Sequence, residues 1–161
     1  METWKKKDDS DYKYKGEWVD EPDKAHWIDE ATGLDCLIVR NNCGALCGYV
    51  GIPKSNKFFK KDYDNVEADI KVHGGLTFAD FCMNTKDESI GVCHPKETAA
   101  NELVWWLGFD CAHSGDVCPK YESDGLVYGY HPSYKNFAYV KKEVISLAKQ
   151  LNDKRINHEL T

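Results

Sequence analysis

Two short stretches concentrate the side chains that can do chemistry. The first is Val72-His73-Gly74-Gly75-Leu76-Thr77, where an imidazole is followed by two glycines. Glycine lets the backbone bend and approach a ligand closely, and successive glycine N–H groups can form an anion-binding nest. The second is Phe109-Asp110-Cys111-Ala112-His113-Ser114-Gly115-Asp116, which carries two carboxylates, an imidazole and a thiol. Each stretch follows an apolar run that reads as a strand, and loops at strand ends are common places for sites.

If both loops lie at one end of a sheet, His73, Asp110, His113 and Asp116 share a pocket. Two chemistries then follow. A His general base held by an Asp can move protons, which makes these four residues the candidate catalytic set. Alternatively, Asp110, His113 and Asp116 can hold a divalent metal, since imidazole and carboxylate suit Zn, Mn or Fe. The spacing Asp-x-x-His-x-x-Asp is not a zinc signature by itself. Candidate ligand contacts are His73, Gly74, Gly75, Thr77, Ser114, Tyr49 as a ring to stack on, and Arg40 as a cation for an anionic ligand.

The elements that must position these loops are legible as patterns. Asp20-Glu21-Pro22-Asp23 followed by Ala25, Trp27, Ile28, Ala31 and Gly33 predicts a short helix over about 21–31, capped by Asp20 and closed by Gly33. Cys36–Arg40 and Ala45–Ile52 predict two strands joined by the Asn41-Asn42-Cys43-Gly44 turn. Val66, Ala68, Ile70 and Val72 alternate, predicting a strand that delivers His73. Leu103–Asp110 is an unbroken apolar run, as in a strand covered on both faces. Residues 79–101 read as an excursion with one helical turn near 96–101. Phe137, Val140, Val144, Leu147, Ala148 and Leu151 fall at helical spacing, predicting a helix over about 136–152 capped by Ser133 or Asn136.

The resulting expectation is an α+β fold. A largely antiparallel sheet carries a short N-terminal helix and a C-terminal amphipathic helix packed on it. Residues 1–16 read as a polar arm or loosely attached edge, and 17–161 as a single domain.

Composition narrows the partners. With 161 residues and a net charge of −6, the chain disfavours long nucleic acid. No run approaches a bilayer span and no export signal is visible, so a cytoplasmic, non-membrane protein is expected. Aromatics make up 12% of the residues, enough for a ring-lined binding surface. The seven cysteines are odd in number, and most read as packed thiols in a reducing compartment. Cys111 is the one thiol beside the Asp-His cluster, and structural zinc at Cys43 and Cys47 lacks a second pair.

The order of Cys47-Gly48-Tyr49-Val50-Gly51-Ile52-Pro53, Lys61-Asp62-Tyr63-Asp64, His73-Gly74-Gly75-Leu76-Thr77, Trp105 to Asp116 and Tyr139-Val140 resembles a family of small uncharacterised proteins of bacteria and their phages. The resemblance spans about 33–152. It implies a cytosolic setting (the host cytoplasm for a phage protein) and carries no activity. The stretch 119–134 departs from the shorter connection of that family. Together these features point to a small-ligand-binding protein, with a nucleotide-type signal as ligand and phage counter-defence as role. The alternative is a His/Asp or metal-dependent hydrolase of a phosphoester.

Overall fold

A computed structural model describes residues 1–6, 12, 15–66, 69–82, 88–93, 103–121 and 132–159. Six strands form one antiparallel sheet: β1 (Glu2–Trp4), β2 (Lys24–Ile28), β3 (Asp35–Arg40), β4 (Leu46–Ile52), β5 (Phe78–Phe81) and β6 (Trp105–Asp110). Their order across the sheet is β1-β2-β3-β4-β6-β5, so β6 enters between β4 and β5. One long helix, α1 (Phe137–Glu159), lies on one face. This is an α+β architecture.

Alternation along the strands sorts side chains between two faces. Cys36, Ile38, Leu46, Val50, Ile52, Leu107 and Phe109 are buried with the α1 stripe Val140, Val144, Leu147, Ala148 and Leu151. Burying each large aliphatic of that stripe is worth roughly 1.5–3 kcal/mol, which is what docks the helix. Gly48 makes the close approach possible: a methyl group there would overlap Val144 and Phe109. The opposite face carries a smaller cluster of Leu37, Val39, Cys47, Tyr49, Val92 and Trp106.

The predicted helix over 21–31 is replaced by β2, paired in register with β3 from Lys24↔Val39 to Ile28↔Asp35. Of the two residues taken as caps, Asp20 ends a 3-10 turn over Glu17–Val19 and Gly33 sits in the β2–β3 hairpin turn. The Asp29 carboxylate accepts from Thr32 N at 3.1 Å and Thr32 Oγ1 at 2.7 Å. Gly33, at φ 72°, then turns the chain back. A left-handed glycine closes helices and hairpins alike, and the alternation of Ala25 and Trp27 against Lys24 and His26 decides in favour of the strand.

The alternation at 66–72 does not make a strand among the described residues. Ile70 and Val72 pack against the helix-face core. Lys71 gives its backbone groups to the Gln150 side chain of α1, N–H to Oε1 at 2.7 Å and C=O from Nε2 at 2.8 Å. A side-chain amide thereby replaces the strand partner. The helical turn expected near 96–101 lies outside the described residues. Asn136, not Ser133, caps α1, accepting from Tyr139 N at 2.9 Å. No helix among the described residues is long and apolar enough to cross a membrane.

Candidate functional site

His73 sits where the 69–72 segment leaves the edge of α1. Asp110 ends β6, and Asp116 closes the turn that follows, with Asp116 N donating to His113 O at 2.9 Å. The two loops meet in space. His73 Nε2 lies 2.8 Å from Asp116 Oδ2 and 3.1 Å from Oδ1. On its other side, His73 Nδ1 is 2.8 Å from the Tyr139 hydroxyl in the first turn of α1.

Asp116 is buried, and its charge is answered on every side. Lys135 Nζ lies 3.0 Å from Oδ1, and the His113 backbone N–H donates to Oδ2 at 3.0 Å. Burial pushes this carboxyl up, but the hydrogen bonds from His73, Lys135 and His113 prevail and hold it below the ordinary carboxylate value. An ionised Asp116 keeps the Nε2 proton of His73 pointed inward. Neutral His73 then offers its Nδ1 lone pair to the Tyr139 O–H. Burial, with the Glu143 carboxylate close by, pushes the Tyr139 hydroxyl up to about 12, so it stays a phenol at neutral pH.

Asp110 and His113 form a second pair on the other side of the loop. His113 Nε2 is 3.2 Å from Asp110 Oδ1, without hydrogen-bond geometry. The Asp110 oxygens accept from Ala112 N and from Thr77 Oγ1, each at 3.0 Å. The two pairs are joined through the imidazoles, whose centroids are 6.1 Å apart. Gly74 lies directly under the His113 ring: at φ 68° it is left-handed, and a methyl group there would overlap the imidazole.

An open cleft of about 460 Å³ runs along this second pair, bordered by Asn41, Tyr49, Thr77, Phe78, Asp110 and His113. Tyr49 and Phe78 meet edge to face, with ring centroids 5.2 Å apart. Two other clefts, about 440 and about 580 Å³, lie beside Pro53 and Leu103 and beside Trp27 and Ile145. Their titratable groups include Asp35 and His26, which are bound to each other at 2.8 Å. The cleft beside His113 is the one that adjoins the paired loops.

Several sequence expectations find a different placement. Arg40 is buried and spends its guanidinium on Asp23 Oδ1 at 2.7 Å, Gly44 O at 2.9 Å, Tyr134 Oη at 2.9 Å and Pro22 O at 3.3 Å. It is therefore not among the groups facing the cleft. Gly75 N donates to Val72 O at 2.9 Å, so one of the two glycine N–H groups of the expected nest closes its own turn. Ser114 is exposed on the Asp110–Asp116 loop.

Asp110, His113 and Asp116 do not surround one point, because Asp116 turns to His73 and Lys135 while Asp110 turns to Thr77. Among the described residues no group of three or more His, Cys, Asp and Glu side chains is arranged to hold a metal ion. Sequence reasoning missed Lys135 and Tyr139. Both flank Asn136 at the start of α1, so the signal was the helix N-terminus, once the helix is docked beside the loops.

The fold and site define an antiparallel α+β domain with a paired-histidine loop cluster at one end of its sheet. Comparison with protein-family models, with curated proteins and with solved structures finds no match.

Proposed function

We propose that the protein binds a small, base-bearing ligand of nucleotide type in the cleft beside His113. One observation carries the reading: an aromatic edge, Tyr49 and Phe78, faces hydrogen-bonding groups of both kinds. Asp110 retains acceptor capacity, Thr77 is exposed, and the partly exposed His113 ring lines the cleft, its Nε2 turned inward to Gly74 and Asp110. A nucleobase presents an amino donor for a carboxylate, a ring nitrogen for an imidazole and a flat face for an aromatic. A volume of about 460 Å³ falls within the range of small-ligand sites. Asp110 opposes a phosphate at this point, so the phosphate end would lie away from it, toward the Gly74–Gly75 turn. The role proposed with it is sequestration of a nucleotide signal; the resemblance to phage proteins supplies the host-cytoplasm setting and not the activity.

The test is native mass spectrometry of the purified protein, followed by calorimetric titration with AMP, GMP, CMP and UMP. A co-purified mass of several hundred daltons, or titratable binding weakened about tenfold or more by Asp110→Ala and His113→Ala, is expected. Absence of both a bound mass and any binding of the four nucleotides would remove this reading.

A hydrolase reading has its own support in the buried Asp116 behind His73, which is how a general base is oriented. It expects turnover of a phosphoester such as bis-(p-nitrophenyl) phosphate, lost in His73→Ala. A divalent metal at Asp110, His113 and Asp116 belongs to this reading and would require Asp116 to leave Lys135. Turnover abolished by a chelator and restored by Zn or Mn would establish that version.

A further inference from the structure

The seven cysteines fall into three kinds. Cys36, Cys47 and Cys111 are buried, and burial pushes their thiols up, that of Cys47 to about 12 and the others well above the ordinary value. Thiols held protonated in this way do not react at neutral pH. Cys82 and Cys93 are joined by a disulfide. Cys43 and Cys118 remain. They are only partly buried and lie 75 positions apart in sequence, yet their sulfurs are 3.0 Å from each other.

Their approach is built into the backbone. Lys120 N donates to Cys43 O at 3.0 Å, tying the segment after Asp116 to the β3–β4 turn. Asn41 shapes that turn, its Oδ1 accepting from Cys43 N and Ala45 N, each at 3.1 Å. Cys43 Sγ is also 3.1 Å from this oxygen. Bond formation would bring the sulfurs to about 2.05 Å, a movement of roughly 1 Å.

We infer that Cys43 and Cys118 are a redox modification site, closing a second disulfide that clamps the Asp116 loop to the β3–β4 turn. The chemistry is thiol–disulfide exchange with a low-molecular-weight disulfide such as oxidised glutathione. The thiolate of one cysteine attacks, giving a mixed disulfide and releasing one glutathione thiol. The second cysteine's thiolate attacks that mixed disulfide, the protein S–S bond forms and a second glutathione leaves. Two protein thiols are oxidised, one external disulfide is reduced, and the two protein protons leave on the released thiols. The clamp reaches the site from both sides: Cys118 follows the Asp116 that holds His73, and Asn41 borders the cleft. The inference stands independently of what the cleft binds.

The test uses the full-length protein, reduced and then exposed to oxidised glutathione, with alkylation, non-reducing peptide mapping and thermal denaturation. The expected result is a Cys43–Cys118 cross-linked peptide and a Tm raised by at least about 4 °C over the reduced form. That rise should persist in Cys82→Ser/Cys93→Ser and vanish in Cys43→Ser and in Cys118→Ser. Stable glutathione adducts or unmodified thiols at Cys43 and Cys118 would overturn the pairing. A cross-link with no change in Tm in the Cys82→Ser/Cys93→Ser background would overturn the clamp.

Discussion

Two of the buried charge networks among the described residues end differently. Around Arg40, two carboxylates, a phenol and two backbone carbonyls close on one guanidinium whose side chain has no exposed surface. The Asp116 network starts in the same way, with Lys135 and a backbone N–H on a buried carboxylate. It then runs outward through His73 to the partly exposed Tyr139, and the half-buried His113 ring lies alongside. A closed network can only hold the fold. An open one also presents a titratable group to what lies outside. The difference teaches that burial of charge alone does not mark a site; the unspent end does.

The comparison breaks most visibly on stability. Asp23→Ala would leave the Arg40 guanidinium buried without its closest carboxylate, and urea unfolding at neutral pH should show a loss of about 3–5 kcal/mol. A loss below about 1 kcal/mol would mean that the Arg40 network behaves as a surface ion pair and is no different in kind from the other.

A smaller effect sharpens the open side. Gly74→Ala meets both a left-handed backbone and the His113 ring, and should cost about 2–4 kcal/mol, whereas Gly33→Ala meets the backbone strain alone, about 1–2 kcal/mol. Nothing lies within 4 Å of a methyl group at Gly33. Equal losses at the two positions, measured by denaturant midpoints, would show that His113 yields freely and that Gly74 is not its support.

The least effect is on pH dependence. The Asp116 carboxyl is held below its ordinary 3.8 in the folded protein. Its contribution to stability is therefore complete above that value and lost as pH falls through the lower folded value. Unfolding midpoints taken from about pH 2 to 6 should drop on the acid side, and Asp116→Asn should flatten that drop. An unchanged acid limb in the variant would put the responsible carboxylates elsewhere.

Much of this was legible in the residues, and the failures have physical reasons. β3, β4, β6 and α1 announce themselves because their apolar runs are dense enough for period and length to agree. The convergence of the His73 and Asp116 loops follows from both leaving the same region of the fold. β2 was misread because Asp20, Pro22 and Gly33 are punctuation shared by helices and hairpins. Arg40 was assigned to a ligand because the acids that claim it, Glu21 and Asp23, had been given to a helix N-terminus. Lys135 and Tyr139 could not be found from spacing, since only tertiary docking of α1 brings Lys135 to Asp116, 19 positions earlier, and Tyr139 to His73, 66 positions earlier.

The place of β6 in the sheet has a consequence for how the chain acquires its shape. β1 to β4 each pair with a neighbour in sequence, and β2, β3 and β4 can zip together from short loops as soon as Ile52 is available. β5 pairs with its successor β6 across residues 82–104, a longer connection than the two hairpins between β2 and β4. Its only partner in the sheet is β6, and β6 must also find β4 across the chain from Ile52 to Trp105. Among the strand pairings, β4 with β6 thus closes the longest loop, and the cleft beside His113, which needs Tyr49 from one half and Asp110 from the other, comes into being only when that slow step is complete.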